Sequence, residues 1–260
     1  MTTATAMTTV APGETVHSVD GARLIVVPAA DSVGTTGAVT AGDRNVAGGA
    51  DGPPVVVLLH GAGSGTQTPV LTRLAELLAA GGVTVARLEM PYRVAGRRAP
   101  DRAPRLDAVL ASAVEALGRP SRLALAGASM GSRVAVRTAR EVGARGVVAL
   151  GFPLYPPGRG ELAGRQDELA GAGVPVLVVQ GERDSFGRPE PDAGRGREVT
   201  VVTGADHSFR VRVRDGRPAA QVVDEAAGLA ARWLFRHLGA ESQGCPADHS
   251  GRESGGAPQS

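Results

Sequence analysis

The stretch Leu123-Ala124-Leu125-Ala126-Gly127-Ala128-Ser129-Met130-Gly131-Ser132-Arg133-Val134-Ala135-Val136 joins two patterns at one point. Up to Ala126 it is a continuous apolar run, as in a strand buried on both faces. From Met130 onward it is helical, with Val134, Val136 and Ala139 among its apolar positions. The junction is Gly-x-Ser-x-Gly. In a chain with 37 glycines that pentapeptide alone decides little; its place between strand and helix gives it weight. A serine at so sharp a turn has strained backbone angles and a hydroxyl that projects into open space, and the glycines let strand and helix pass closely. The helix aims its first N–H groups at the same spot, where negative charge would develop. Ser129 is the candidate nucleophile.

Working outward, the centre of the chain alternates strands and helices. Apolar runs at 55–59, 83–88, 123–126, 146–150, 176–179 and 198–202 read as strands. Amphipathic patterns at 67–80, 106–117, 130–142, 161–171 and 219–238 read as helices. Such alternation predicts a mostly parallel sheet covered by helices on both faces. Ahead of it, 14–19 and 22–28 flank Asp20-Gly21, a hairpin signal. The expected organisation is a disordered segment at 1–13, one α/β domain at 14–239 with a flexible loop at 29–53, and a disordered polar tail at 240–260.

The chain has 260 residues and a formal net charge of +2. It contains no lysine, so its sequence pI of about 9.3 reflects arginines that stay charged at high pH. No basic run or RNA-reading motif accompanies that pI, and no nucleic-acid partner is expected. The single cysteine, Cys245, excludes an intrachain disulfide, and no Cys/His cluster has metal-ligand spacing. No metal or other cofactor is called for. The start of the chain lacks the basic and apolar regions of a signal peptide, and no apolar run is long enough for a membrane span. A cytoplasmic location without membrane association is the expectation.

A serine nucleophile needs a base within hydrogen-bond reach and a group that orients the base. In an open α/β sheet these lie past the carboxyl ends of strands, here in the order Ser, acid, His. Of the five histidines, only His60 and His207 follow core strands, and His207 stands in the right order. Asp184 follows the strand at 176–179 and is the preferred acid. Glu182 competes from the same loop. Asp206 adjoins His207 and would struggle to reach its neighbour's ring.

The oxyanion hole needs two backbone donors. Met130 N–H follows the serine directly. The second donor is expected from the loop His60-Gly61-Ala62-Gly63-Ser64-Gly65, with Ala62 N–H first choice and Gly61 second. A dinucleotide-binding loop is the rival reading, since Glu89 stands at a later strand end. The third glycine of that fingerprint is missing, because position 66 is threonine.

The order His-Gly-x-Gly, Gly-x-Ser-x-Gly, Asp, His resembles the α/β-hydrolase superfamily over residues 54–238. In detail, Ala128-Ser129-Met130-Gly131-Ser132-Arg133, Phe152-Pro153-Leu154-Tyr155-Pro156, Gly181-x-x-Asp184 and Ala205-Asp206-His207-Ser208 resemble the testis-expressed and NSL-complex hydrolase-like branch. Bacterial members of that branch are often described as dienelactone-hydrolase-related. The resemblance implies a Ser129–His207–Asp184 triad. Two differences stand out: Ala128 replaces an arginine usual in eukaryotic members, and a serine stands where true dienelactone hydrolases use cysteine.

Aromatic residues make up only 3% of the chain, yet Tyr92, Phe152, Tyr155, Phe186 and Phe209 all follow strand ends. They are the expected apolar pocket wall. The loop from Tyr92 to Arg105 holds five arginines against one acid, Asp101, and reads either as a solvated loop or as a steering patch for anions. The interval between the strands at 146–150 and 176–179 is too short for a lid domain. A shallow, partly open site that prefers short acyl chains is therefore expected. The functional expectation is a serine hydrolase of carboxylesterase type, acting on a small acyl substrate. A non-catalytic scaffold of the same fold is the alternative.

Overall fold

The computed structural model describes residues 13–29, 52–156 and 164–240. The expectations for 1–12, for the loop at 30–51, and for the tail with Cys245 and His249 lie outside these residues.

Eight strands form one sheet: β1 (Thr15–Val19), β2 (Ala22–Val27), β3 (Val55–Leu59), β4 (Thr84–Glu89), β5 (Leu123–Ala128), β6 (Val147–Leu150), β7 (Val176–Gly181) and β8 (Arg197–Val202). Their order is β1-β2-β4-β3-β5-β6-β7-β8. The hairpin β1–β2 is antiparallel and β2 pairs antiparallel with β4; all other pairings are parallel. The hairpin turns where predicted: Asp20 and Gly21 have φ of 49° and 81°, the two positive angles of a type I′ turn.

The helices are α1 (Pro69–Ala80), α2 (Pro91–Val94), α3 (Ala103–Ala116), α4 (Met130–Thr138), α5 (Gln166–Ala170) and α6 (Ala219–Leu238). Strand β3 shows why the sheet is covered twice. All five of its residues are buried. Val55, Val57 and Leu59 enter one core with Leu110 of α3 and Val134 of α4. Val56 and Leu58 enter a second with Leu74 of α1 and Trp233 of α6. Period-two strands thus feed two layers, as an unbroken apolar run requires.

Helices α1 and α6 lie side by side and run in the same direction. Arg73 bonds Asp224 near their N-terminal ends. Near the other ends Gly81 packs so closely on Phe235 that a Cβ at 81 would strike the ring.

The boundaries differ from expectation in physically readable ways. The expected helix at 130–142 ends at Thr138 and continues as turns to Gly143, which has φ of 73°. The weak pattern at 161–171 gives only the short helix α5; residues 157–163 lie outside the description. The arginine-rich loop opens with α2, whose Pro91 has the φ and the missing N–H that suit a first turn. Within that loop Arg97 pairs with Asp101 and Arg105 donates to the Asp20 carbonyl, so two of its arginines brace the structure. Among the described residues, no helix is long and apolar enough to cross a membrane.

Candidate active site

The loops after β3, β5, β7 and β8 meet at the carboxyl edge of the sheet. The first residue past β5 is Ser129, with φ of 51° and ψ of −112°. A non-glycine residue in this region is strained by roughly 1–3 kcal/mol, and the surroundings fix it there. A Cβ on Gly127 would collide with the Gly131 carbonyl and the Ser132 nitrogen. A Cβ on Gly131 would lie 2.5 Å from the Leu59 carbonyl oxygen and 2.8 Å from that of His60. Helix α4 can therefore seat itself only against glycine, and the turn at Ser129 follows. Ser129 N–H donates to the Leu150 carbonyl at 2.9 Å, which ties the turn to β6.

His207 lies five residues past β8, half-buried. Its Nε2 is 2.9 Å from Ser129 Oγ, and its Nδ1 is 2.8 Å from Asp184 Oδ2. With Nδ1–H donating to the carboxylate, Nε2 is left as the acceptor for the serine hydroxyl. The Asp184 side chain is 1% exposed, so every lone pair it directs inward needs a donor. Oδ1 accepts from Phe186 N–H at 2.9 Å. Oδ2 accepts from His207 and also from Gln180 Nε2 at 2.7 Å.

Gln180 escaped the sequence reading. It is fully buried at the end of β7. Its Oε1 accepts from Phe152 N–H at 2.9 Å, and its Nε2 faces the carbonyls of Phe152 and Gly187 as well as Asp184. The signal was present: one glutamine closes the otherwise apolar run Val176-Leu177-Val178-Val179. A polar side chain in a buried strand needs partners, and the partner here is the acid.

The competing carboxylates do other work. Glu182 is exposed and accepts from Gly204 N–H at 2.7 Å. Asp206 Oδ1 accepts from the N–H groups of Ser208 and Arg210, which closes the turn that carries His207.

The loop after β3 passes close to Ser129: a Cβ on Gly61 would lie 3.5 Å from Ser129 Cβ. Two buried side chains hold its peptide planes. His60 Nε2 accepts from Met90 N–H at 3.0 Å, so its proton sits on Nδ1 and is donated to the Gly61 carbonyl at 2.8 Å. Burial pushes the His60 pKa down, which keeps it neutral. Tyr92 donates its hydroxyl to the Ala62 carbonyl at 2.9 Å, and burial raises its pKa to about 12. In trans peptides each N–H points opposite to the preceding carbonyl. Holding the Gly61 carbonyl thus orients Ala62 N–H away from His60. Met130, the first residue of α4, has an N–H that no helical carbonyl can accept.

The expected aromatic wall is built differently. Tyr92 and Phe152 are fully buried; one braces the Ala62 turn and the other lies in the core. Tyr155 packs on the core beside Gly187. Phe186 sets its ring 4.4 Å from the His207 imidazole. Only Phe209 lines the cavity that reaches Ser129 and His207. That cavity, about 820 Å³, lies between the N-terminal halves of α1 and α6. Residues after strand ends are readable from sequence, but a buried strand end sends side chains to core and site alike. Among the described residues, no group of His, Cys, Asp or Glu could hold a metal ion.

Comparison with known proteins agrees on the fold. A family described as an alpha/beta hydrolase domain matches residues 53–235. No curated protein matches the chain. Among solved structures, the chain is similar to XC6422 from Xanthomonas campestris, described as an α/β serine hydrolase without a lid, with 18% identity and a TM-score of 0.55 over 86% of this chain and 97% of that one. It is also similar to a dienelactone hydrolase from Anabaena variabilis, with 18% identity and a TM-score of 0.54 over 90% and 99%. A third similar structure is Est1E from Butyrivibrio proteoclasticus, with 13% identity and a TM-score of 0.56 over 87% and 99%.

Proposed function

The chain belongs to the α/β-hydrolase domain family, and from that premise we propose that it is a serine hydrolase that cleaves an ester or related acyl bond through Ser129, His207 and Asp184. The supporting observation is the unbroken chain of contacts from Ser129 Oγ to His207 Nε2 at 2.9 Å and from Nδ1 to Asp184 at 2.8 Å.

In this reading His207 Nε2 takes the hydroxyl proton as Ser129 Oγ attacks the acyl carbon. The carbonyl π electrons move to oxygen, and the N–H groups of Met130 and Ala62 receive the resulting negative charge. As the tetrahedral species collapses, the bond to the leaving oxygen or sulfur breaks, and the imidazolium returns its proton to that atom. Water then attacks the acyl-enzyme with His207 again as base, releasing the carboxylic acid and restoring Ser129. Asp184 remains ionised throughout; it holds the ring and stabilises the imidazolium. Removing the nucleophile of such a set lowers kcat by about 10⁶.

The test is labelling with a fluorophosphonate and turnover of p-nitrophenyl esters, for the native chain and for Ser129→Ala. Labelling and turnover are expected in the native protein and neither in the variant, whose circular dichroism should be unchanged. Labelling that survives Ser129→Ala places the nucleophile elsewhere. Absence of both activities in the native chain favours a non-catalytic scaffold.

A further inference from the structure

We propose that the groove between the N-terminal halves of α1 and α6 holds a linear apolar arm of the substrate, so that the substrates are medium-chain esters or thioesters. This rests on the reading of Ser129 as nucleophile.

The groove is a wedge. Helices α1 and α6 close on each other at Gly81 and Phe235, near their C-terminal ends. Toward their N-termini they separate, and the space between them runs into the cavity at Ser129, His207, Leu150 and Phe209. Its walls are Pro69 and Val70, beside Thr68 and Thr72, from the α1 side and Ala219, Ala220 and Val223 from the α6 side. Small and branched apolar residues on both walls leave a slot suited to a chain of methylenes.

The slot ends on polar ground. Arg73 Nε donates to Asp224 Oδ1 at 2.7 Å, from one helix to the other, and Arg73 also pairs with Glu76. All three line the cavity. A methylene pressed against this hydrated bridge gains little, so the bridge is a chemical stop. From Thr68 to Arg73, and again from Ala219 to Asp224, the helix axis advances about 7.5 Å at 1.5 Å per residue. A zigzag carbon chain with near-tetrahedral angles advances about 1.25 Å per carbon. The wedge therefore takes roughly six carbons, and with the few needed to reach it from the scissile bond the arm has about six to ten. The short-chain expectation rested on a missing lid and on aromatic walls; the depth here comes from two helices instead.

The test measures kcat/KM on two series: p-nitrophenyl esters from acetate to palmitate, and n-alkyl acetates of matching length. The native chain is compared with Ala220→Trp and Ala219→Trp, which fill the slot from exposed positions, and with Arg73→Met, which removes the stop. In one series the native protein should rise at least 10-fold from two carbons to a maximum at six to ten, then fall by sixteen, since each buried methylene is worth up to about fourfold. Either tryptophan should lower the eight-carbon value at least 10-fold while two-carbon turnover stays within about twofold. Arg73→Met should move the maximum to longer chains. A maximum at two to four carbons in both series overturns the proposal, as does a tryptophan effect equal on short and long chains. If the native chain neither turns over nor labels, the serine-hydrolase reading has failed as well. If it labels and turns over with a flat profile, only the groove assignment has failed.

Discussion

The turn that carries Ser129 and the loops that carry Asp184 and His207 face each other across one site, and they are built by different means. At Ser129 the geometry is enforced by exclusion: Gly127 and Gly131 touch backbone atoms of neighbouring elements with no room for a Cβ. Opposite, the geometry is assembled from hydrogen bonds, with Gln180 and Phe186 N–H on Asp184, and Asp206 bracing the turn at His207. Exclusion is all-or-none, whereas hydrogen bonds are lost one at a time. The first side should fail in folding, the second in rate.

The largest effect expected is that of Gly131→Ala. Overpacking usually costs about 1–3 kcal/mol, and here the obstacle is the backbone at the end of β3, the Leu59 and His60 carbonyls, rather than a side chain that can move. The variant should lose cooperative thermal unfolding or precipitate. A variant as stable as the native chain would break the distinction between the two sides. Next, Asp184→Asn should keep the fold and lower kcat by about 10⁴, because an amide at this position selects the wrong imidazole tautomer. Glu182→Gln on the same loop should stay within twofold. Comparable losses from both would remove Asp184 from its assigned role.

Gln180→Met should sharpen the comparison further. It keeps the length of the side chain but removes one donor to Asp184 and takes away the Gln180 partners of the Gly187 carbonyl and the Phe152 N–H. Unsatisfied buried groups cost about 1–3 kcal/mol, here divided between stability and kcat. A kcat loss of about 10-fold with KM unchanged identifies a positioning role; a drop in melting temperature alone identifies a structural one. The smallest effect concerns His60. Burial lowers its folded pKa below the ordinary 6.5, so at high pH folded and unfolded states are both neutral there. As pH falls below about 6.5 the unfolded chain gains the proton first, and stability declines until the folded pKa is reached. Urea midpoints between pH 7.5 and 5 should show this slope, with a shallower one in His60→Asn. His17, also pushed down by burial, supplies part of what remains.

Much of this was legible in the sequence. The strand–turn–helix at Ser129, the hairpin at Asp20-Gly21 and the placement of His207 and Asp184 after strands all follow from periodicity and strand order. Direction was not legible. Tyr92 and Phe152 follow strand ends as expected, yet their rings turn inward, because a side chain at a buried strand end can satisfy the core as well as the site. The cavity wall was hidden for the opposite reason. Ala219 and Ala220 read as ordinary positions at the start of an amphipathic helix, and only the packing of α1 beside α6 makes them a surface of the site.

The separation of α1 from α6 has a consequence for how such a protein can diverge. Ala219 and Ala220 are exposed, and exchanges at such surface positions usually change stability by no more than about 0.5 kcal/mol. Each of them nevertheless changes the width of a space that opens onto Ser129. On the proposed reading, substrate range can drift by single, individually tolerated substitutions while the strained turn and its hydrogen-bonded partners are inherited unchanged. Selection on what is cleaved and selection on how it is cleaved would then act on different residues of one molecule.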